Sequence, residues 1–542
     1  MKVLVTGGTG VVGEAAVTAL AARGHSVRLL SRGAAEAERH WPARVTARPA
    51  DVSRPASLRG TAKGCDAVLH VAGIARETPE RTFAAVNVDG TRALLSEAAR
   101  AGVRRFVYVS SLGAGTGSSD YHRSKRAAEA LVRAQAPEWV IVRPGNVYGP
   151  GDEVISQLLE MTRALPAVPL VGDGRQPFQA IWHEDLGLAL ALAVEREDLA
   201  GALLEVAGPE VTSMSDVVSR LAALDGRAPV QVPLPVGLVK VAARAATFLN
   251  LPLPVDDNML AMLEEENVIR GENALVSVLG VTPTPLEEGL RRLVASLPEQ
   301  TAKEGRGPLR RKTFSAAIEG AELTPAQLRQ RFLEEMGDLL PLEGGPPRGT
   351  TPRVGSVFTL DLPLRGVIEM RFAEARPSRL AFLTLAGHPL AGALVFHFER
   401  GPRFTVETLA RAATLVDAVG LTAGGGLLQD ATWRETVSRV VERSGGHAPA
   451  GVVEESAELP DDEAEEVERW MQELIHVRKR AERARVGPEG PAASVPRGRK
   501  EARPRVSSRA AAARPRARAG RPGSPASPRR RRSRRSARAP SR

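Results

Sequence analysis

One glycine-rich motif limits the fold of this chain more than any other feature of its sequence. The segment TGGTGVVG ends the first apolar run and places three glycines in a GxxGxxG arrangement. Glycine there permits a tight turn, close approach of the backbone to a pyrophosphate, and close packing of a helix on a strand. This strand-then-helix context predicts a dinucleotide site. The residues of this turn that we expect to contact the dinucleotide are Gly7, Thr9, Gly10, Val11, Val12 and Gly13.

The apolar pattern predicts the fold around this motif. Over residues 1 to about 150, short apolar runs such as SVRLLS and RFVYVSS alternate with alanine-rich helical stretches. Continuous apolar strands separated by helices are typical of a parallel sheet covered on both faces. We therefore predict an α/β Rossmann fold, a doubly wound parallel sheet, with a cofactor part at 1–150 and a substrate part at 151–297.

The end of the second strand indicates which dinucleotide is preferred. NAD-binding domains usually place an acidic residue there to hold the ribose hydroxyls. This chain has Ser31 and Arg32 instead. A guanidinium can neutralise a 2′-phosphate, so the sequence predicts binding of NADP(H) in preference to NAD(H).

Further motifs, in their order along the chain, resemble the extended short-chain dehydrogenases/reductases, the NAD-dependent epimerase/dehydratase family, over residues 1–297. These motifs are Asp51-Val52, HVAG at 70–73, NVDGT at 87–91, VSS at 109–111, Tyr121-HRS-Lys125 and RPGNVYGPGD at 143–152. The resemblance implies that the cofactor also contacts Asp51, Val52, Ala72, Gly73, Asn87, Tyr121, Lys125, Pro144 and Val147. The short loop before YHRSK and the LEEGL ending resemble the atypical branch that includes the nucleotide-binding accessory subunit of respiratory complex I.

Three residues are candidates for catalysis: Ser111, Tyr121 and Lys125. Tyrosine and lysine four residues apart share one helix face. An ammonium beside a phenol favours the phenolate, which would bring a group with an ordinary pKa near 10 into use as an acid or base. Ser111 would then orient a substrate carbonyl or hydroxyl.

Two functions follow from these residues. The first is an NADP(H)-preferring reductase or epimerase that acts on a carbonyl or hydroxyl carbon of a small molecule by hydride transfer. The second is a dinucleotide-binding protein without catalysis, with a cofactor-sensing or assembly role. Intact Tyr121 and Lys125 favour the enzyme, whereas only ten residues separate Ser111 from Tyr121, which favours the alternative. The sequence names no substrate and leaves homo-oligomerisation open.

A second folded region is expected after residue 297. Residues 298–311 are polar and rich in charge, and they predict a linker. Residues 312–448 then read as a strand, a helix, several antiparallel strands and a long helix, an order that resembles the START-like helix-grip fold and implies an apolar ligand pocket. A charged helix is predicted over 449–485. His388 and His397 lie in this region, but no partner has metal-ligand spacing, so no metal site is predicted.

The end of the chain is strongly basic. Residues 481–542 hold 20 Lys and Arg against three Glu, a local excess greater than the net charge of +11 of the whole chain, so the remainder is mildly acidic. The segment 486–542 has few large apolar residues and should be disordered. It lacks interleaved aromatic residues and reader motifs, so a nucleic-acid partner is not expected. The single cysteine, the strand at the start of the chain and the lack of a long apolar run predict a cytoplasmic protein without a membrane span.

Overall fold

The computed structural model describes residues 1–33, 41, 44–165, 167–226, 228–240, 257–341, 343–344, 351–362, 366–414, 417–418 and 426–485. The segment 486–542, predicted above to be disordered, lies outside these residues. No helix in the described ranges is both long and apolar enough to cross a bilayer.

Twenty strands are assigned in these ranges. They are β1 (Lys2–Thr6), β2 (Ser26–Ser31), β3 (Val45–Pro49), β4 (Ala67–His70), β5 (Arg105–Val109), β6 (Glu138–Pro144), β7 (Asn146–Tyr148), β8 (Ala167–Val171), β9 (Ala180–Trp182), β10 (Ala202–Val206), β11 (Val230–Leu234), β12 (Glu299–Gln300), β13 (Arg306–Ala317), β14 (Glu343–Gly344), β15 (Val357–Leu362), β16 (Gly366–Arg376), β17 (Arg379–Leu385), β18 (Leu390–Glu399), β19 (Arg403–Ala412) and β20 (Val453–Glu458).

The α-helices with defined bounds complete the order of elements. They are α1 (Val11–Ala22), α2 (Gly90–Arg100), α3 (Asp120–Gln135), α4 (Ile155–Ala164), α5 (His183–Glu195), α6 (Met214–Leu224), α7 (Asp257–Glu264), α8 (Ala274–Ser277), α9 (Leu286–Ala295), α10 (Pro325–Glu334), α11 (Met336–Leu339), α12 (Gly426–Arg443) and α13 (Asp461–Arg485).

The first sheet confirms the predicted Rossmann-like domain. Seven parallel strands lie in the order β10-β6-β5-β4-β1-β2-β3. Apolar clusters cover both faces of this sheet, which explains why its strands are continuous apolar runs. The strand order reverses between β1 and β4, and ligands of such sheets bind in the crevice at the carboxyl ends of the strands at this switch point.

Residues 151–297 add a smaller lobe beyond these strand ends. Its strands form two parallel pairs, β8 with β11 and β9 with β7, which lies just before this range. They pack with α4, α6 and α9 around a separate apolar cluster. Leu385 and Ala386, from the second half of the chain, belong to the same cluster. The lobe is therefore packed against the second sheet.

The second sheet is antiparallel. Its strands follow the order β14-β15-β16-β17-β18-β19-β13-β20, and β12 pairs with β17. Helix α12 packs on β13 and β19, and Trp433 meets Phe396 edge to face. Between this sheet and the helices on its inner face lies an apolar cavity of about 20 Å³, room for about one water molecule. The helix-grip assignment and a larger ligand in this space stay predictions.

The predicted linker is wrong. Residues 298–311 enter the second sheet, since β12 pairs with β17 and β13 pairs with both β19 and β20. The polar composition indicates a linker although the segment forms strands, because charged residues alternate with buried ones. Leu309 is 1% exposed, and even the charged Glu299 is only 7% exposed. The predicted boundary at 448 also moves, because the exposed acidic strand β20 extends the sheet to Glu458 and the charged helix begins at Asp461.

A buried arginine joins the lobe to the second sheet. The side chain of Arg163, on α4, is 3% exposed. Its Nη2 donates to Asp225 Oδ1 at 2.8 Å, and its Nη1 donates to Glu369 Oε2, on β16, at 2.8 Å. A cation removed from water needs such partners, because each desolvated ion costs several kcal/mol.

A second ionic contact joins β12, β16 and α13. Arg371 Nη1 donates to Glu299 Oε1 at 2.6 Å, and Arg478 Nη2 donates to Glu299 Oε2 at 2.9 Å. Burial raises the pKa of Glu299, but the two guanidinium groups outweigh it and hold the pKa below its ordinary value. The carboxylate is thus ionised and paired although it lies in the interior.

Candidate functional site

The glycine motif forms a tight turn between β1 and α1. Gly7 has φ +71°, and a Cβ there would lie 2.6 Å from the backbone nitrogen of Ala72. A Cβ at Gly13 would lie 2.1 Å from the carbonyl oxygen of Gly7. Both positions therefore require glycine for the fold itself, since neither the backbone of β1 nor that after β4 can retreat.

Gly10 differs from its two neighbours in the motif. It is the N-cap of α1 and supplies no side chain to cap the helix. A Cβ there would have only the carbonyl oxygen of Gly7 within 4 Å, at 3.8 Å. Open space thus faces a helix N-terminus whose amides can hold a pyrophosphate, so these residues fit a dinucleotide.

The end of β2 carries no acidic residue. Ser31 is half-buried and Arg32 is exposed. Asp51 lies nearby: partial burial raises its pKa, but hydrogen bonds from Ser53 and the charges of Arg32 and Arg81 outweigh this and leave the pKa below its ordinary value. Val52 is buried against Gly90.

The segment after β4 meets the catalytic helix. A Cβ at Gly73 would lie 3.1 Å from Lys125 Nζ and 3.2 Å from Asn87 Oδ1. Asn87 is 1% exposed and donates from Nδ2 to the carbonyl of Ile74 and to Ser124 Oγ. The structure therefore brings Gly73, Asn87 and Lys125 together.

Tyr121 lies one turn before Lys125 on α3. Burial raises the pKa of Tyr121 to about 12, and the nearby side chain of Ser111 opposes this only in part. The expectation that Lys125 lowers the phenol pKa is therefore wrong for the protein alone, because desolvation of the phenolate outweighs any attraction to the ammonium.

Lys125 is itself desolvated. Its Nζ donates to the carbonyl of Val109 at 2.9 Å and lies 5.2 Å from the centroid of the Tyr108 ring. Burial lowers the pKa of Lys125 to about 8, although nearby Glu129 opposes the shift. The carbonyl contact fixes the ammonium at the end of β5, beside the segment that carries Ser111.

Pro144 and Val147, the last predicted cofactor contacts, lie where β6 passes into β7. Gly145 N donates to the carbonyl of Val206, and Asn146 N to the carbonyl of Gln179. These bonds fix the chain at the carboxyl edge of the sheet, the edge on which the glycine turn also lies.

Two buried polar residues near the site are not among the functional residues predicted from the sequence. Glu129 is 3% exposed and pairs with Arg143 at 2.8 Å through both carboxylate oxygens, while Ser110 Oγ donates to it at 2.6 Å. It thereby ties α3 to the ends of β5 and β6. Its position four residues after Lys125 was the available signal, since residues i and i+4 share a helix face.

His70, at the end of β4, is the second. Its ring bonds Thr6 Oγ1 at 2.7 Å through Nδ1 and Thr91 Oγ1 at 3.0 Å through Nε2. Burial, followed by the charge of Lys125, lowers the pKa of His70 to about 3. The ring is therefore a neutral support beneath the switch point rather than a proton carrier at neutral pH.

The histidines of the second region have local partners. His388 Nδ1 contacts the backbone of Leu390, and His397 Nε2 contacts Glu407 Oε2 at 2.8 Å. Over the described ranges, no group of three His, Cys, Asp or Glu residues is arranged to hold a metal ion.

Comparison with known proteins decides the family of the N-terminal domain. Residues 3–207 match the model of the NAD dependent epimerase/dehydratase family. The N-terminal domain is therefore similar in sequence to this family. The match covers the glycine turn, the Ser111–Tyr121–Lys125 group and the seven-stranded sheet, and it leaves the second sheet unassigned.

Individual known proteins match over parts of the chain. Ceramide reductase of Caulobacter vibrioides is 40% identical over 170 residues, 31% of this chain and 53% of that protein. Mitochondrial NADH dehydrogenase [ubiquinone] 1 alpha subcomplex subunit 9 of Arabidopsis thaliana is 26% identical over 276 residues, 49% of this chain and 68% of that protein. The structure of MoeE5 with UDP-glucose and NAD aligns with a TM-score of 0.43 and 26% identity, over 54% of this chain and 98% of that one. The chain thus spans about half the length of the ceramide reductase that it matches.

Proposed function

We propose that this protein is an NADP(H)-preferring reductase whose proton donor is Tyr121, with Lys125 and Ser111 as its partners. The observation that carries the proposal is their arrangement: the side chain of Ser111 lies near Tyr121, and Lys125 faces Gly73 beside the glycine turn. A dinucleotide held by the amides of α1 and by Asn87 and Lys125 would supply hydride transfer to or from a substrate carbon. The same groups would also serve an epimerase.

The state of Tyr121 favours reduction. With a pKa of about 12, the phenol keeps its proton at neutral pH and can give it to a developing alkoxide. Ser111 would bond the same oxygen, and Lys125 would contact the cofactor ribose. Oxidation would need the phenolate, which desolvation disfavours here.

The substrate that we propose is a hydrophobic ketone of a lipid. Support comes from the names of similar proteins: a ceramide reductase, a 3-beta-hydroxysteroid dehydrogenase of Mycolicibacterium neoaurum and a sterol demethylase protein B of Methylococcus capsulatus. Each of these names describes an enzyme of a sphingolipid or sterol.

A substrate screen tests the activity. The purified chain with NADPH should reduce at least one member of a panel of long-chain ketones and ketosteroids, measured as loss of nicotinamide absorbance. Ser111→Ala should lower kcat on that substrate about tenfold, the value of roughly one well-placed hydrogen bond. A panel without turnover, although NADPH binds, would contradict the reductase.

Cofactor preference has its own test. NADPH should bind more tightly than NADH, because the exposed guanidinium of Arg32 can pair with the 2′-phosphate and β2 ends in Ser31 rather than in an acidic residue. Arg32→Ala should bring the two dissociation constants together, and Arg54→Ala on the next loop serves as the control. Equal affinities in the wild type would refute the preference.

Dinucleotide binding without turnover is the second candidate. Two observations favour it: the ten-residue separation of Ser111 and Tyr121, and the similarity to a subunit of NADH dehydrogenase. In that case Tyr121 and Lys125 would hold the cofactor, and their substitution would change affinity alone.

A further inference from the structure

The short loop between Ser111 and Tyr121 is held from the substrate lobe. The sequence GAGTGSSD suggests a flexible segment, but Leu112–Ala114 forms a 3-10 turn and Gly117 N donates to the carbonyl of Gly113. Arg126, on α3, donates to the carbonyls of Ala114 and Gly117. Arg123, also on α3, donates to the carbonyl of Ser118. A further contact comes from a residue far along the chain.

That residue is Glu265, which follows α7. Its Oε1 accepts from Ser118 N at 2.7 Å and from Ser118 Oγ at 2.6 Å. Its Oε2 contacts His122 Nδ1 at 3.0 Å. Burial raises the pKa of Glu265, but these partners outweigh it and hold the pKa below its ordinary value, so the carboxylate is ionised.

His122 transmits this contact to the loop and the helix. A Cβ at Gly113 would lie 2.3 Å from its ring, and a Cβ at Gly117 would lie 2.1 Å from it, so the loop closes directly on the imidazole. His122 is also the neighbour of Tyr121, with ring centroids 5.3 Å apart. Displacement of His122 would therefore disturb both the loop and the phenol.

The same lobe segment contacts the site at two more points. Asn258 Oδ1, on α7, accepts from Asp120 N in the first turn of α3. Asn267 contacts Asn146, which follows the predicted cofactor residue Pro144, through their side-chain amides. Residues 258–267 thus link the start of the catalytic helix to the wall formed after β6.

We propose that Glu265 is a positioning residue for Tyr121, which it holds in place through Ser118 and His122. The proposal rests on the proposed function, because it assigns Tyr121 to the reaction. The proposal also accounts for the loop between Ser111 and Tyr121, which is shorter than the family usually has. The contact from Glu265 in the substrate lobe would fix this loop in place of the additional residues of a longer one. A substrate bound in the lobe would then influence the position of the Tyr121 hydroxyl through Glu265.

The position of Tyr121 can be followed without a substrate. The chain has three tyrosines, so 3-fluorotyrosine labelling gives three ¹⁹F signals, and Tyr121→Phe identifies one of them. Glu265→Ala should shift or broaden that signal and leave those of Tyr108 and Tyr148 unchanged. Glu265→Gln, which can still accept from Ser118, should have a smaller effect. Glu266→Ala is the matched control, since Glu266 pairs only with Arg270 at the surface.

Turnover supplies the second measurement on the same full-length variants. Glu265→Ala should lower kcat about 10- to 100-fold, as displacement of a reacting group by about 1 Å does, with dinucleotide affinity within about twofold of wild type. An unchanged Tyr121 signal would overturn the proposal, and so would a shifted signal with wild-type kcat. If the wild type itself turns over no substrate, the reductase assignment fails, and the ¹⁹F signal alone decides whether Glu265 positions Tyr121.

Discussion

Tyr121→Phe should lower kcat by about 100- to 10,000-fold, the usual contribution of a general acid. The ring, its packing against Phe83 and its place on α3 are retained, and only the hydroxyl group with its exchangeable proton is lost. Dinucleotide affinity and melting temperature should therefore stay close to wild type. The measurement is steady-state reduction of the ketone found in the screen, with affinity determined separately by nicotinamide fluorescence.

A matched control exists within the chain. Tyr148 is 1% exposed, and its hydroxyl has no hydrogen-bond partner among the described residues. Tyr148→Phe should accordingly leave kcat nearly unchanged. Equal kcat in Tyr121→Phe and the wild type would remove Tyr121 from the reaction, and a loss confined to cofactor affinity would favour the non-catalytic dinucleotide protein.

Gly10→Val should abolish dinucleotide binding while the protein stays folded. The backbone at Gly10 has φ −89° and ψ 170°, which valine adopts readily, and a Cβ there meets no atom closer than 3.8 Å. The branched side chain would occupy the space in front of the α1 amides. Losing two charge-assisted hydrogen bonds, at about 1.5–3 kcal/mol each, should weaken binding about 100-fold or more.

Substitutions at two further glycines serve as comparisons for Gly10→Val. Gly7→Val should lower the melting temperature sharply, because the backbone has a positive φ and Ala72 blocks the side chain. Gly271→Val, at an exposed position with nothing within 4 Å of its Cβ, should change neither folding nor binding. Retained NADPH affinity in folded Gly10→Val would mean that the pyrophosphate binds elsewhere.

The first sheet could be predicted because its signals are local. Strands such as β1, β4 and β5 are largely apolar runs, and the glycine turn directly follows β1. The start of the second sheet is harder to predict from the sequence, because its first strands carry charges. In β13 (Arg306–Ala317), exposed arginines alternate with buried residues. Composition alone therefore suggested a linker where pairing partners about 100 residues away form a sheet.

The site could be predicted only where its spacing lies within one element. Tyr121 and Lys125 are one helical turn apart, and Glu129 is one turn further. Glu265 is 147 residues from Ser118, so no local pattern could connect them. The raised pKa of Tyr121 also cannot be predicted from the sequence, because desolvation depends on burial in three dimensions.

The buried charges between the lobe and the second sheet make the stability of each half of the protein depend on the other half. Removal of one partner from such a pair costs about 3–5 kcal/mol, a large part of a domain's stability. Arg163, on the lobe, and Glu369, on the second sheet, lie 206 positions apart. Removing Arg163 would leave the carboxylates of Asp225 and Glu369 without their buried cation. The N-terminal half and the second sheet are therefore not independent modules, because the stability of each depends on a charge that the other contributes.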